Sequence, residues 1–139
     1  MDRVVLDTNV VAKLFLDEEG SEIAARMKDA HIGGKIEAVL PSLTKYELAN
    51  VLRYKDFGRE EIKEAMEVIR DYAFSVIDID EQVVNKMIDF SVEYNISAYD
   101  AAYVALAYHI GAPFYTADRK IPLKLKGLDF VKHLDQFSL

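Results

Sequence analysis

The sequence "RVVLDTNVVAKLF", residues 3–15, places three polar side chains between two apolar runs. The first run, residues 3–7, is rich in β-branched residues, which is typical of a strand buried on both faces. The second run repeats its apolar residues at helical spacing. A strand that leads directly into a helix is the building step of α/β folds, whose ligands bind beyond the carboxyl ends of the strands. The polar residues at this junction are Asp7, Thr8 and Asn9.

The same step recurs along the chain and indicates an α/β fold with a parallel sheet covered by helices on both faces. Further strands are predicted at residues 37–41, 74–79, 113–118 and 128–134. Helices are predicted at residues 9–30 (in two pieces divided at Gly20 and Ser21), 42–55 (ended by Gly58), 59–73, 80–95 (capped by Asp80) and 97–112 (ended by Gly111), with a short irregular helix or loop at 119–127.

The composition indicates one domain without disulfides. The 139 residues, half of them apolar, suffice for one buried core, so we predict a single domain over residues 1–139. The absence of cysteine excludes disulfides, thiolate nucleophiles and thiolate metal ligands. The apolar runs are shorter than the roughly 20 residues of a membrane span. We therefore expect a soluble, cytoplasmic protein without a membrane partner.

The net charge of −7 argues against a protein that binds nucleic acid over its whole surface. The charge is unevenly distributed, however. Between Arg119 and His133 there are five basic residues and one acid, Asp129. This segment is either an ordinary solvated surface or a local basic surface on an acidic body.

Four acids lie at the predicted junctions between strands and helices. Asp7 ends the first strand, Glu47 lies in the first turns of the helix after the second strand, Asp100 opens the alanine-rich helix, and Asp118 ends the fourth strand. Each also has a purely structural interpretation, because Asp7 and Asp118 suit helix caps, and "TKYE" and "SAYD" match the capping-box pattern. In a parallel sheet, however, all four would converge at one edge.

Converging carboxylates indicate a metal site. They repel each other and stay ionised when a cation compensates them. Oxygen ligands favour Mg²⁺ or Mn²⁺ over Zn²⁺, and an acidic cluster around such an ion is suited to phosphodiester hydrolysis. His31, His109 and His133 stand singly at no ligand spacing, so we predict that they are surface or core residues.

Four segments resemble, in order and spacing, the motifs of PIN-domain ribonucleases, and most closely those of VapC-type toxins from toxin–antitoxin pairs. They are "VVLDTNVV" with Asp7, "PSLTKYELANVL" with Glu47, "ISAYDAAYVALA" with Asp100, and "FYTADRK" with Thr116 and Asp118. The resemblance extends from residue 3 to about residue 132. It implies a three-layer α/β/α sandwich with a five-stranded parallel sheet.

The resemblance also implies a Mg²⁺- or Mn²⁺-dependent endoribonuclease whose catalytic acids are Asp7, Glu47, Asp100 and Asp118. Of these, Asp7, Asp100 and Asp118 are the implied metal ligands, the last directly or through water, and Glu47 positions the metal or the attacking water. The implied products carry a 3′-hydroxyl and a 5′-phosphate.

Short polar residues beside these acids match the supporting positions of the family. They are Thr8, Asn9 and Thr116, whose side chains suit hydrogen bonds to carboxylates and water. Basic residues predicted to guide RNA around the pocket are Lys13, Arg119, Lys120, Lys124 and Lys126.

The resemblance implies two protein partners, a second copy of the chain and an antitoxin whose helix covers apolar surface near the active site. We predict the antitoxin groove on the helical pair from Ser42 to Ala73, which carries Tyr54, Phe57 and Tyr72. The alternative is that these aromatic residues belong to the core.

Three other functions are compatible with the motifs. A stand-alone RNA-processing PIN nuclease would share every catalytic acid. A phosphatase on a similar sheet is disfavoured because such enzymes usually carry a second aspartate two residues after the first, where this chain has Asn9. A non-catalytic module that binds RNA or protein is disfavoured because no acid of the pattern is missing.

Overall fold

The structure is a computed structural model and describes residues 2–139. Within these residues, five parallel strands form one sheet in the order β3-β2-β1-β4-β5. The strands are β1 (Asp2–Leu6), β2 (Ile36–Pro41), β3 (Ser75–Ile77), β4 (Phe114–Thr116) and β5 (Val131–His133). This confirms the predicted five-stranded parallel sheet. β1 lies at its centre because it pairs with both β2 and β4.

The connections between strands are helical. The helices are α1 (Thr8–Ala12), α2 (Ser21–Ile32), α3 (Leu43–Tyr54), α4 (Arg59–Tyr72), α5 (Glu81–Tyr94), α6 (Ala98–Ile110) and α7 (Lys120–Lys124), followed by a 3₁₀ turn at Leu134–Gln136. Among the residues described, no helix combines the length and apolarity that crossing a bilayer requires.

Two cores lie on opposite faces of the sheet, as the three-layer prediction requires. Val4 and Leu6 of β1 face α1 to α4, whereas Val5 between them faces α5 and α6. Successive strand residues point to opposite faces, so an unbroken apolar strand serves both cores. The face of α6 that packs against the sheet includes alanines, which let the helix approach the strands closely, and residues 101–107 are all buried.

The element boundaries differ from prediction mainly at strand ends and at one glycine. The three shortest strands have three residues each, because only these residues pair with a neighbouring strand. Gly58 was predicted to end the helix of residues 42–55, but α3 ends at Tyr54 and Gly58 is instead the cap residue before α4. The predicted roles of Asp80 as the α5 cap and Gly111 as the left-handed end of α6 are confirmed.

Candidate active site at the carboxyl edge of the sheet

Asp7 lies directly after β1 and caps α1. Its backbone is extended (φ −68°, ψ 154°), so its side chain turns back onto the first helical turn. Oδ1 accepts a hydrogen bond from the Thr8 backbone N–H at 2.8 Å, and Oδ2 accepts one from Thr116 Oγ1 at 2.8 Å. The residue is only 8% exposed. The helix-cap interpretation of Asp7 therefore holds, and it places a buried carboxylate at the end of the central strand.

Thr116 connects Asp7 to the turn that carries Asp118. Its Oγ1 accepts hydrogen bonds from Asn9 Nδ2 and from the Asp118 backbone N–H, both at 3.1 Å. Because both of these partners are donors, the single hydroxyl proton goes to Asp7. Asn9 Oδ1 also accepts from the Ala117 backbone N–H at 2.9 Å, so Asn9 bridges α1 and this turn.

Asp118 is exposed, two residues beyond β4. Its Oδ1 accepts from the Lys120 backbone N–H at 2.9 Å, which forms an Asx turn directly before α7, whose cap residue is Arg119. One carboxylate oxygen is thus held by the turn. Asp118 is the acid of the four that is most open to a ligand arriving from solvent.

Glu47 lies inside α3, and its capping-box interpretation is wrong. The helix begins at Leu43, and its N-cap Ser42 makes no side-chain cap hydrogen bond. Glu47 Oε1 instead accepts from Thr8 Oγ1 at 3.0 Å and from the Tyr103 hydroxyl at 2.6 Å. Tertiary contacts with α1 and α6, rather than the local helix end, hold this carboxylate.

Asp100 is the third residue of α6 and is half-buried. The N-cap Ser97 accepts from the Asp100 backbone N–H at 3.0 Å, so the serine half of the "SAYD" capping pattern is present. Ser97 therefore stabilises the helix start that carries Asp100.

The pKa values of Asp7 and Asp100 are raised mainly by burial and further by neighbouring negative charge. Burial raises the pKa of Asp7 to about 7, and the charges of Asp100 and Glu47 add to the rise, against the hydrogen bonds from Thr116 and Thr8. Burial also raises the pKa of Asp100, with further increases from Glu47 and Asp118, while the Ser97 hydrogen bond and Lys124 oppose them. Each of the four acids therefore interacts electrostatically with at least one of the others.

The donor set fits a divalent cation. In residues 2–139, none of the four acids forms a salt bridge with a Lys, Arg or His, so their negative charge has no paired counter-charge. All four offer the oxygen ligands that Mg²⁺ and Mn²⁺ prefer. Over the same residues, no three acidic or histidine side chains are already arranged to hold an ion together.

The structure does not bring all the predicted basic residues to the acids. Lys13 Nζ is bound to Glu18 Oε1 at 2.9 Å and to the Glu19 backbone oxygen at 2.6 Å. Arg119 pairs with Asp135 Oδ2 at 2.8 Å and with Glu19 Oε1 at 3.4 Å. The charges of both residues are thus largely committed to other carboxylates. Lys120, Lys124 and Lys126 are exposed and form no salt bridge within residues 2–139.

His31 has a structural role, and the three aromatic residues predicted to line the antitoxin groove differ in their exposure. His31 Nδ1 accepts from the Ala38 backbone N–H at 3.0 Å and joins α2 to β2, a structural role. On the α3–α4 pair, Phe57 and Tyr72 pack against the core as the alternative interpretation held, whereas Tyr54 is 73% exposed. Only Tyr54 of the three aromatics is therefore open to a partner.

Sequence reasoning missed two residues of the site, Thr44 and Tyr103. Both are buried, and their hydroxyl groups lie 2.9 Å apart beside Glu47. Burial and the Glu47 carboxylate raise the pKa of Tyr103 above its ordinary value. Helical spacing could have identified both residues. Thr44 lies three residues before Glu47, and Tyr103 lies three residues after Asp100, so each shares a helix face with one of the acids.

Comparison with known proteins identifies the family. The PIN domain family model matches residues 4–124. In sequence, the chain is 29% identical over 137 residues to ribonuclease VapC3 of Pyrobaculum aerophilum, covering 91% of this chain and 97% of that protein. The match to the family model spans most of the chain.

Solved structures agree on the fold. A toxin–antitoxin complex from Klebsiella pneumoniae contains a similar chain, with a TM-score of 0.71 at 14% identity, covering 98% of this chain and 99% of that one. The sarcin–ricin-loop-cleaving toxin VapC20 of Mycobacterium tuberculosis has a TM-score of 0.71 at 16% identity, covering 93% and 98%. The predicted PIN-like fold and the resemblance to VapC-type toxins are confirmed. This chain belongs to the PIN domain family.

Proposed function

We propose that the protein is a divalent-metal-dependent endoribonuclease that cleaves RNA by attack of water on the phosphodiester. The observation that carries the proposal is the group of four mutually repelling carboxylates, without salt-bridge partners among residues 2–139, at the edge of the sheet where such folds bind ligands. Membership of the PIN domain family and similarity to ribonuclease VapC3 support it.

In this mechanism each acid has a separate task. Asp7, Asp100 and Asp118 would hold Mg²⁺ or Mn²⁺, and Glu47 would position the ion or the attacking water. When bound, the ion supplies polarisation of the phosphoryl oxygen and a water nucleophile at neutral pH. Thr116 keeps one oxygen of Asp7 in place through its hydroxyl proton, and Asn9 fixes Thr116 in turn.

Replacement of Asp100 by asparagine tests the proposal directly. We expect cleavage of total RNA in Mg²⁺ or Mn²⁺ to fall at least about hundredfold, because loss of a ligand costs several kcal/mol of transition-state stabilisation. The matched control is Asp129→Asn, an exposed acid before β5 at the opposite edge of the sheet, which should cleave as the wild type does. Mapped cut ends should carry a 5′-phosphate. Full activity in the Asp100 variant, or activity in excess EDTA, would contradict the proposal.

RNA guidance is assigned to Lys120, Lys124 and Lys126, because they are exposed while Lys13 and Arg119 are held by carboxylates. Lys124 already lowers the pKa of Asp100, so its charge reaches the site. The proposed contacts are with phosphates rather than bases.

Salt dependence measures these contacts. In the Asp100→Asn background, which prevents cleavage, changing Lys120 and Lys124 to glutamine should reduce the slope of log K against log salt for single-stranded RNA by about 1.4, since each lost phosphate contact removes about 0.7. Lys63→Gln, an exposed lysine on α4, is the control and should leave the slope unchanged. An unchanged slope in the double lysine variant would refute phosphate contacts at these positions.

We further propose that the protein is the toxin of a toxin–antitoxin pair, acts in the cytoplasm and forms a homodimer. The similar Klebsiella pneumoniae chain comes from such a complex, and exposed Tyr54 lies on the helical pair predicted to receive the antitoxin. The alternative is a stand-alone RNA-processing nuclease. A short reading frame directly upstream whose product co-purifies with the chain distinguishes the two, and light scattering of the purified chain tests the dimer.

A further inference from the structure

The Tyr103 hydroxyl is buried among polar side chains where three helices meet. Tyr103 is 1% exposed, and its ring packs beside Phe114 of the sheet at 5.8 Å between centroids. Its oxygen meets Glu47 Oε1 at 2.6 Å, Thr44 Oγ1 at 2.9 Å and Thr8 Oγ1. The partners belong to α1 and α3, so one phenol on α6 joins all three helices.

Counting protons defines the direction of these hydrogen bonds. Tyr103 donates its proton to Glu47 Oε1, whereas Thr8 has one proton for two acceptors within reach, Glu47 Oε1 and the Tyr103 oxygen. Thr44 then has Tyr103 as its acceptor. Three hydroxyl protons thus serve four contacts, and Oε1 faces two hydroxyl groups. Glu47 Oε2 accepts no hydrogen bond from residues 2–139, which leaves it as the oxygen available to a ligand.

A packing role alone would not require this hydroxyl. Phenylalanine would fill the same space beside Phe114 without burying a polar group, and a buried hydroxyl is costly unless its hydrogen bonds are made. Here all its partners are polar, and one of them is a carboxylate of the acidic group. The hydroxyl therefore stabilises a particular orientation of Glu47.

We propose that Tyr103 is a positioning residue that acts through Glu47. With Thr8 and Thr44 as its neighbours, it holds Oε1 inside the protein and presents Oε2 to the divalent ion or its water. The functional consequence rests on the proposed metal-dependent cleavage. The positioning itself is measurable as Mn²⁺ affinity, without any substrate.

Tyr103→Phe removes the hydroxyl and keeps the ring. Mn²⁺ affinity, measured by titration calorimetry, should fall about tenfold, and kcat should fall by about tenfold to hundredfold with KM little changed, as when hydrogen bonds to metal-ligating groups are lost. The melting temperature should change by only a few degrees. Tyr115→Phe is the matched control, because Tyr115 is 7% exposed, packs on Phe137 and bonds none of the four acids through its side chain.

A double-mutant cycle with Glu47→Gln separates positioning from general damage. If Tyr103 acts through Glu47, adding Tyr103→Phe to Glu47→Gln should change Mn²⁺ affinity less than twofold. Equal losses in both backgrounds, or wild-type affinity in Tyr103→Phe, would overturn the proposal. If the wild type cleaves no RNA but the cycle shows this coupling, the nuclease function fails and the positioning role stands.

Discussion

Replacing Asp7 with asparagine should abolish RNA cleavage and make the metal-free protein more stable at pH 8. The loss of cleavage, at least about a thousandfold, follows from removing the buried carboxylate that we propose as a metal ligand. The gain in stability follows from the same burial. Burial raises the pKa of Asp7 from 3.8 to about 7, so the folded protein resists the ionisation that the unfolded chain undergoes freely.

The pH dependence of this stability has a definite sign. Below pH 3.8 the carboxyl is protonated in both states and costs nothing. Between pH 3.8 and about 7 only the unfolded chain ionises, so the free energy of unfolding decreases as pH rises, and the cost is complete above pH 7. A shift of this size corresponds to about 4 kcal/mol. Asparagine loses one of the two hydrogen bonds that Asp7 accepts, which leaves a net gain of about 2 kcal/mol.

Urea unfolding of both proteins in EDTA at pH 8 and pH 4 provides the measurement. At pH 8 the variant should have the higher midpoint. At pH 4 the difference should vanish or reverse, because the wild-type carboxyl is then protonated in the folded state. A variant that is less stable than the wild type at both pH values would show that the buried Asp7 carboxylate does not destabilise the metal-free protein.

Mn²⁺ should stabilise the wild-type protein strongly at pH 8 and weakly at pH 6. A proton and the ion compete for the same carboxylate, so a ligand with a pKa of about 7 loses roughly tenfold in apparent metal affinity for each pH unit below 7. The raised pKa of Asp100 acts in the same direction. Above about pH 8 the affinity should level off, because Asp7 is already ionised.

Calorimetric titrations from pH 5.5 to 8.5, with melting temperatures in EDTA and in Mn²⁺, measure this competition. The Asp7→Asn variant is the internal control, because its remaining affinity should depend much less on pH. A wild-type affinity that stays constant over this range would show that metal binding does not require deprotonation of Asp7.

The strands and the acids that directly follow them were predictable from the sequence for local reasons. β1 is apolar at every position from Val4 to Leu6, which is the pattern of a central strand. Parallel strands separated by helices place their carboxyl ends at one edge, so Asp7 and Asp118 were expected together before any contact was known. Strand ends were less predictable, because an apolar residue such as Ile79 continues the strand pattern after the ladder has ended.

The partners of each acid were less predictable. "TKYE" satisfies the capping-box pattern, yet Glu47 turns to Thr8 and Tyr103, which are 39 and 56 residues away in sequence. The basic residues show the same limit, since Lys13 is committed to Glu18 and Arg119 to Asp135. The sequence shows which residues are basic, but not which of them form salt bridges with carboxylates.

By itself the sequence determined the α/β class, the parallel sheet and two of the acids at its edge, Asp7 and Asp118, because these depend on local periodicity and on residues at strand ends. Only the tertiary structure decided that Asp7 is buried deeply enough to raise its pKa to about 7 and that the Tyr103 hydroxyl donates a hydrogen bond to Glu47. The physical reason is that desolvation and side-chain hydrogen bonds depend on groups brought together from distant parts of the chain, such as Thr116 and Asp7.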